Sequence, residues 1–260
     1  MTRVAVVTGA ARGIGAAVVH RLAVDGWQVS AVDACADNPA VPYALATESQ
    51  LDALAAAHPG SVRARVADVR DSAALAAVVE STVEEHGGLD AAVACAAVIA
   101  GGQPLWETTD ASWDALFDVD VRGVWNLARA AVPALLARPQ PRQGRFVAVA
   151  SAAAHRGLYH LAAYGAAKHA VDGLVRGLAA DLRGTGITAS SVSPGSTRTD
   201  MLSATAALYG IDDVEHFAAA QQLERLLEPE EVAASIAWLC SADSSAMTGS
   251  AIRVDGGFTV

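Results

Sequence analysis

A tyrosine and a lysine that stand four residues apart are the first residues of this sequence that could do chemistry together. They are Tyr164 and Lys168, in the stretch LAAYGAAKHAV (161–171), and Lys168 is the only lysine of the 260-residue chain. Residues four apart share one face of a helix, so the ammonium would lie near the phenol. A free tyrosine ionises near pH ~10, and a nearby positive charge lowers the pKa of a phenol. The pair predicts a general base, the alternative being a lysine on a solvated helix face.

A glycine-rich stretch, TGAARGIG (8–15), follows an apolar run near the start of the chain. Glycine at 9, 13 and 15 would let the backbone turn sharply and approach a pyrophosphate at the start of a helix. Asp33 follows at the end of the next apolar run, where an acid accepts both ribose hydroxyls of an adenosine and repels a 2′-phosphate. The pattern therefore predicts NAD rather than NADP, although Arg12 in the loop could meet a phosphate.

The elements that must position these residues are short apolar runs separated by segments with helical spacing. The runs are residues 3–9, 27–33, 61–68, 89–96, 144–151 and 187–194, with 250–257 as a possible seventh. In one of the helical segments Leu75, Val78, Val79 and Val83 are three and four residues apart. Alternating strands and helices predict a parallel sheet covered on both faces. We expect one α/β domain over residues 1–260, doubly wound, with about seven strands.

Composition excludes several classes of function. The net charge of −10 and the pI of about 5.0 argue against nucleic acid or an anionic membrane as a partner. No apolar run approaches the ~18 residues of a membrane span, and the first strand starts without a signal-peptide layout, so we expect a cytoplasmic protein. The odd number of cysteines suggests no disulfide framework, and we expect buried thiols. The closest histidines, His155 and His160, lack a third ligand, so no metal is expected.

Together the motifs resemble the smaller, single-domain short-chain dehydrogenase/reductases, which have the Rossmann fold. The resemblance runs from residue 3 to about 257 and lies in TGAARGIG, Asp68 and Val69, Ser151, YGAAK (164–168), and SPGSTRT (193–199). Ser151 stands thirteen residues before Tyr164, the spacing of that family. The resemblance implies a homotetramer.

The same resemblance implies roles for individual residues. Tyr164 would exchange a proton with an alcohol or carbonyl oxygen, Ser151 would hydrogen-bond that oxygen, and hydride would pass to or from the nicotinamide. Lys168 would also hold the nicotinamide ribose, since a compact ammonium faces several partners better than a flat guanidinium. The residues expected to contact NAD are Gly9, Arg12, Gly13, Ile14, Gly15, Asp33, Asp68, Val69, Cys95, Ala96, Ala97, Tyr164, Lys168, Pro194, Gly195, Thr197 and Thr199.

Two segments depart from the family pattern. Ala94, Cys95, Ala96 and Ala97 replace Asn-Asn-Ala-Gly, and Asp120 aligns with the fourth catalytic residue, usually asparagine. Asn126 is not its replacement, because helical spacing puts it on a polar face with Arg122 and Arg129. Asp120 instead falls on the apolar stripe of Leu116, Val124 and Leu127. A carboxylate buried there needs a partner, either Lys168 through a water or the backbone groups that it would cap.

A finer resemblance is to the mycofactocin-coupled subgroup. Residues 34–60 are longer than a usual connection, and PYALATESQLDAL (42–54) looks like the insertion of that subgroup. In those relatives NAD is held so tightly that a second carrier, mycofactocin, reoxidises it in place. Tyr43, Leu45, Leu51 and Leu54 could form an apolar flap over the adenosine end. The alternative is a tolerated surface loop.

Substrate contacts are expected from three segments. They are Gln103, Leu105 and Trp106; residues 155–159, with His155, Leu158 and Tyr159; and residues 201–217, in a substrate-loop region around 200–220 that could close as a lid. Their apolar character favours a hydrophobic secondary alcohol or ketone. Two other functions stay open: a sugar-nucleotide epimerase, which would need a larger C-terminal region, and a non-catalytic NAD-binding sensor, which the lost asparagine would support.

Overall fold

A computed structural model describes residues 2–260 as strands alternating with helices. The strands of this part of the chain all lie within the seven predicted runs: β1 (Val4–Thr8), β2 (Gln28–Asp33), β3 (Val62–Val66), β4 (Ala91–Ala94), β5 (Arg145–Val149), β6 (Thr188–Pro194) and β7 (Ala251–Val254). The α-helices between them are α1 (Gly13–Val24), α2 (Glu48–Ala57), α3 (Ser72–His86), α4 (Asp110–Leu116), α5 (Gly123–Leu136), α6 (Ala162–Asp181), α7 (Asp200–Leu208) and α8 (Pro229–Cys240).

The strands form one parallel sheet in the order β3-β2-β1-β4-β5-β6-β7. The chain builds outward from β1 to β3, returns to the middle, and continues outward from β4 to β7. The order therefore reverses between β1 and β4, and in doubly wound sheets the crevice outside the strand ends at this reversal is where ligands bind. The predicted doubly wound α/β fold is confirmed.

Apolar side chains on both faces of the sheet hold the layers together. All five residues of β1 are buried. Helices α3, α5 and α6 pack on one face, and α1, α2 and α8 contribute buried side chains to the other. Because both faces are covered, the central strands need no polar side, which explains why they are near-continuous apolar runs in the sequence.

Helix α3 illustrates how local sequence sets an element. The carboxylate of Asp71 accepts hydrogen bonds from the amides of Ala73 and Ala74, which caps the first turn. The helix ends at Gly87, whose φ of +77° is left-handed. Of its predicted apolar stripe, Leu75, Val78 and Val79 are buried. Local signals therefore suffice to place this helix.

The inserted segment between β2 and β3 is folded and packed. A capping box between Thr47 and Gln50 starts α2. Leu51 of α2 is fully buried in the core layer beneath the sheet, with Leu54 partly buried beside it. Helix α2 is the crossover that the parallel connection from β2 to β3 needs, so its packing does not decide whether the extra residues before it form a tolerated surface loop.

The thiols are less buried than predicted. Only Cys240 is fully buried among the three cysteines, all of which lie in the described residues, whereas Cys35 and Cys95 are partly exposed. Burial nevertheless raises the pKa of Cys95 and Cys240 to about 12 and that of Cys35 to about 11, so none is a thiolate at neutral pH.

Residues 2–260 contain no helix with the length and apolar character that a membrane crossing requires.

Replacing the buried side chain of the insertion should destabilise the whole protein. Leu51→Ala leaves a cavity beneath the sheet, so we expect the free energy of unfolding to fall by about 2–5 kcal/mol. The adjacent exposed Asp52 gives the control Asp52→Ala, which should change it little. Urea denaturation measures both variants. Equal stability of Leu51→Ala and the unchanged protein would mean that α2 does not pack as described.

Candidate active site

One cavity of about 390 Å³ lies along the carboxyl ends of the strands, at the reversal of strand order. Its walls contain every residue that the sequence predicted for NAD, together with Ser151. They come from the loops and helices that follow strands β1 to β6. The cavity is therefore assembled from nearly the full width of the sheet. Asp120 is the one predicted catalytic residue that does not line the cavity, because it lies fully buried behind the wall.

The glycine loop leaves no room for side chains. Gly9 has a φ of +66°, and a Cβ atom there would come within 2.6 Å of the Ala96 backbone. A Cβ at Gly15 would lie 1.9 Å from the carbonyl oxygen of Gly9. The result is a backbone cradle at the first turn of α1, which fits the pyrophosphate of a dinucleotide.

Asp33 and Arg12 decide which dinucleotide the cleft favours. The Asp33 carboxylate, at the end of β2, accepts hydrogen bonds from the amides of Ala11 and Cys35. Arg12 turns away from it: its guanidinium is 2.9 Å from the carboxylate of Asp200 and 3.0 Å from the carbonyl oxygen of Ala44. Since Arg12 is engaged in this way, Asp33 is an acid without a free cation beside it, and it would hold the adenosine ribose of NAD and repel the 2′-phosphate of NADP.

Thr8, buried at the end of β1, supports the cleft without lining it, and the sequence did not predict its role. Its hydroxyl oxygen accepts hydrogen bonds from the amides of Cys95 and Ala96, at 3.2 and 3.4 Å. This holds the small-residue loop after β4 against the end of β1, where Gly9 meets it. Its place in the motif TGAARGIG was the available signal, although the contacts predicted from that motif were with the three glycines, Arg12 and Ile14.

Tyr164 and Lys168 lie one turn apart on α6, as predicted, and both are buried. The Nζ atom of Lys168 is 5.5 Å from the centroid of the Tyr164 ring. Ser151 enters from the end of β5, where its Oγ accepts a hydrogen bond from the amide of Ala153. The structure thus brings the three predicted catalytic side chains to one wall of the cavity.

Asp120 pairs directly with Lys168 rather than through a water. It lies in a π-helical turn, Phe117–Arg122, between α4 and α5. Its Oδ2 is 3.1 Å from Lys168 Nζ, as an ion pair that is not aligned as a hydrogen bond, and its Oδ1 accepts a 2.8 Å hydrogen bond from the amide of Val98. Both predicted partners of the buried acid, lysine and backbone, are therefore present, but the expected intervening water is replaced by direct contact.

Burial and these charges act in opposite directions on Tyr164. Burial raises the pKa of the phenol and Asp120 raises it further, while Lys168 and Ser151 lower it, and the net direction is upward. Burial lowers the pKa of Lys168, but Asp120 and Tyr164 outweigh it and raise the value, so the lysine stays charged. Asp120 thus partly cancels the positive charge of Lys168 that favours the phenolate.

The prediction that Asn126 lies on a polar surface is wrong. Asn126 is 2 % exposed, whereas Arg122 and Arg129 beside it are exposed. Its Nδ2 donates to the carbonyl oxygens of Val69 and Arg70, which follow β3 at the cavity wall. Those carbonyls need a donor inside the protein, and for this reason a polar side chain faces inward here.

The predicted substrate residues are only partly brought to the cavity. His155 faces away from it, because its Nε2 is 2.9 Å from Ser193 Oγ and 3.6 Å from Asp172. Trp106 and Tyr159 are 83 % and 75 % exposed and lie outside the lining, as do Gln103 and Leu105. None of these five residues lines the cavity in this structure, and their contact with a substrate stays a prediction. The side chains that do line the substrate end are Leu158, Leu161, Met201, Leu202, Tyr209 and Phe217.

Comparison with known proteins identifies the family. Residues 9–259 match a family model described as enoyl-(acyl carrier protein) reductase. The chain is 37 % identical to an A-factor type gamma-butyrolactone 1′-reductase of Streptomyces virginiae, covering 99 % of this chain and 96 % of the relative. It belongs to the short-chain dehydrogenase/reductase family and is an oxidoreductase.

Two similar solved structures contain NAD. One is a short-chain dehydrogenase of Mycobacterium paratuberculosis, with a TM-score of 0.88, 34 % identity, and coverage of 99 % of this chain and 97 % of that one. The other is a carveol dehydrogenase of Mycobacterium avium, with a TM-score of 0.92, 29 % identity, and coverage of 98 % and 97 %. These similarities confirm NAD, predicted from Asp33, as the cofactor.

Removing the charge of Asp120 should make the phenol a better base. Asp120→Asn keeps an oxygen that can accept the hydrogen bond of the Val98 amide. It removes a negative charge near Tyr164, so the pKa of the Tyr164 phenol should fall. We expect activity to persist and the pH profile of alcohol oxidation to shift downward by about one unit.

The matched control is Asp118→Asn, which changes an exposed acid in the same π-helical turn that pairs with Arg122. It should leave the profile unchanged. An upward shift in Asp120→Asn would contradict the electrostatic role of the buried pair.

Proposed function

We propose that this protein is an NAD-dependent alcohol dehydrogenase or carbonyl reductase, which interconverts a hydrophobic secondary alcohol and its ketone. The observation that carries the proposal is the meeting of Ser151, Tyr164 and Lys168 on one wall of the cleft that holds the NAD residues. A serine hydroxyl, a phenol and a charged lysine at one place supply a hydrogen-bond donor, a proton carrier and a positive charge for a reacting oxygen.

In the proposed reaction each side chain has a separate task. Tyr164 takes the proton of the alcohol hydroxyl, or returns it to the carbonyl oxygen, while Ser151 hydrogen-bonds the same oxygen. Lys168 favours the phenolate and holds the ribose hydroxyls, and Asp120 positions Lys168 from behind. Bound NAD supplies the hydride acceptor, and its reduced form the hydride donor.

The substrate end of the cavity supports a hydrophobic substrate class. Its lining is formed by aliphatic and aromatic side chains, among them Leu158, Met201 and Phe217. Such a surface favours an alkyl or terpenoid alcohol over a sugar, whose hydroxyls would lose hydrogen bonds to water without replacement. The names of two relatives, a carveol dehydrogenase and a butyrolactone reductase, fit this class.

The two alternative functions have less support. A sugar-nucleotide epimerase would need polar groups for a sugar at the apolar end of the cavity. A non-catalytic sensor was suggested by the missing asparagine, but Asp120 occupies its position and contacts both Lys168 and the loop after β4. Turnover of any alcohol or ketone with NAD distinguishes the proposed enzyme from a sensor.

We further propose that NAD stays bound between turnovers and that a second redox carrier such as mycofactocin reoxidises it in place. The contact between Ala44 and Arg12 supports this, because it joins the segment after β2 to the glycine loop at the cofactor cleft. We also propose that the protein is a homotetramer in the cytoplasm. Trp113, Trp125 and Trp238, exposed on outer helices, are side chains that a second subunit would cover.

Lys168 should not tolerate replacement by arginine. Lys168→Arg keeps the charge, but a planar fork cannot face Tyr164, the ribose and Asp120 from one buried position. We expect turnover to fall about a hundredfold or more, as for the loss of a positioned acid or base. The control is Arg176→Lys, the reverse exchange at an exposed position of α6, which should retain activity. Turnover of Lys168→Arg at the unchanged protein's rate would refute the assigned role.

The second test concerns the cofactor itself. A flap that must open slows release about tenfold for each ~1.4 kcal/mol added to the barrier. Purified protein should therefore carry NAD through gel filtration, detectable by its absorbance after denaturation. Added NAD should stimulate multiple turnovers weakly and an artificial electron acceptor strongly. Protein that elutes empty and turns over freely with external NAD would remove the case for in-place reoxidation.

A further inference from the structure

Tyr43 of the insertion reaches a place that the sequence did not predict. Its phenolic oxygen accepts a 2.9 Å hydrogen bond from the amide of Ile99, in the loop after β4. Ile99 is the neighbour of Val98, whose amide is bound by Asp120. Tyr43 therefore does not cover only the adenosine end of the cleft, since its hydroxyl lies beside the loop that adjoins the catalytic wall.

The residue after Tyr43 is tied to the glycine loop. The carbonyl oxygen of Ala44 accepts a hydrogen bond from Arg12, which begins helix α1. A dinucleotide's pyrophosphate binds at the glycine loop and the start of that helix. Tyr43 and Ala44 thus join the pyrophosphate position to the loop after β4.

The hydroxyl of Tyr43 has a hydrogen left to donate. Its oxygen acts as the acceptor for Ile99, and the hydroxyl forms no further hydrogen bond with residues 2–260. Burial, together with Asp120, raises the pKa of Tyr43 to about 12, although the Ile99 amide and Arg12 oppose it. The phenol is therefore protonated at neutral pH, and Tyr43 lines the cavity.

The basic side chains of the cleft are already paired with acids, which leaves a role for a neutral hydrogen-bond donor. Three basic side chains line the cleft, and each is paired: Arg12 with Asp200, Arg70 with Asp68, and Lys168 with Asp120. A diphosphate would consequently be held mainly by backbone amides and uncharged donors.

We propose that Tyr43 donates its hydroxyl hydrogen to a phosphate oxygen of the bound dinucleotide. The proposal rests on the NAD site described above and makes the insertion part of that site as well as its cover. Tyr43 is then a binding residue supplied from outside the family's glycine loop, and its loss weakens ligands that carry the pyrophosphate.

The test uses Tyr43→Phe, which keeps the ring and removes the hydroxyl. Protein freed of nucleotide is titrated calorimetrically with ADP-ribose, which contains the pyrophosphate, and with adenosine, which lacks phosphate. We expect the affinity for ADP-ribose to fall about tenfold or more, the effect of a lost hydrogen bond to a charged group, and that for adenosine to change less than about twofold. Tyr159→Phe is the control for ADP-ribose binding, since the Tyr159 side chain is exposed and lies outside the cavity lining.

The other possible results of these titrations each overturn a particular claim. Unchanged ADP-ribose affinity in Tyr43→Phe overturns the phosphate contact. An equal loss for both ligands also overturns it, because Tyr43 would then act only by holding the insertion closed. A thermal melt of the nucleotide-free variant shows whether it is folded. If it is unfolded, the ³¹P resonances of ADP-ribose bound to the unchanged protein are measured instead. They must show a nearby phenolic proton, or the proposal fails. Failure of the unchanged protein to bind ADP-ribose would overturn the NAD site itself.

Discussion

The buried contact between Lys168 and Asp120 joins the catalytic wall to the loop after β4 and sets the charge around Tyr164. Both side chains are almost completely removed from water, and either charge alone would be costly there. The pair fixes α6 against the π-helical turn, and Asp120 also binds the Val98 amide. The catalytic wall and the loop after β4 are therefore one unit, and the electrostatic environment of Tyr164 follows from it.

The cofactor cleft is governed by a different constraint, the closeness of two backbone segments. Gly9 and Ala96 approach so nearly that a single methyl group would separate them, and Thr8 fixes the approach by binding the β4 loop amides. The small residues after β4 satisfy this constraint although they lack the family's asparagine side chains. In this chain the side chains of Thr8 and Asp120 anchor the amides of the loop after β4.

The insertion extends the same unit across the open side of the cleft. Leu51 is buried with the core, and this fixed base lets the preceding residues reach outward to Arg12 and Ile99. The cleft is thus bounded by the sheet on one side and by a packed segment on the other. A connection of this kind couples the stability of a surface segment to the geometry of the binding site.

The sequence by itself determined the seven strands, the glycine cradle and the spacing of Ser151, Tyr164 and Lys168. These depend on local periodicity and on short-range geometry, which neighbouring residues carry. Only the tertiary structure decided that Asn126 faces inward and that Tyr43 reaches the β4 loop. Their partners stand 57 and 56 residues away in the chain. Such choices depend on which unpaired backbone groups another segment presents, and no pattern within a single helix or loop records that.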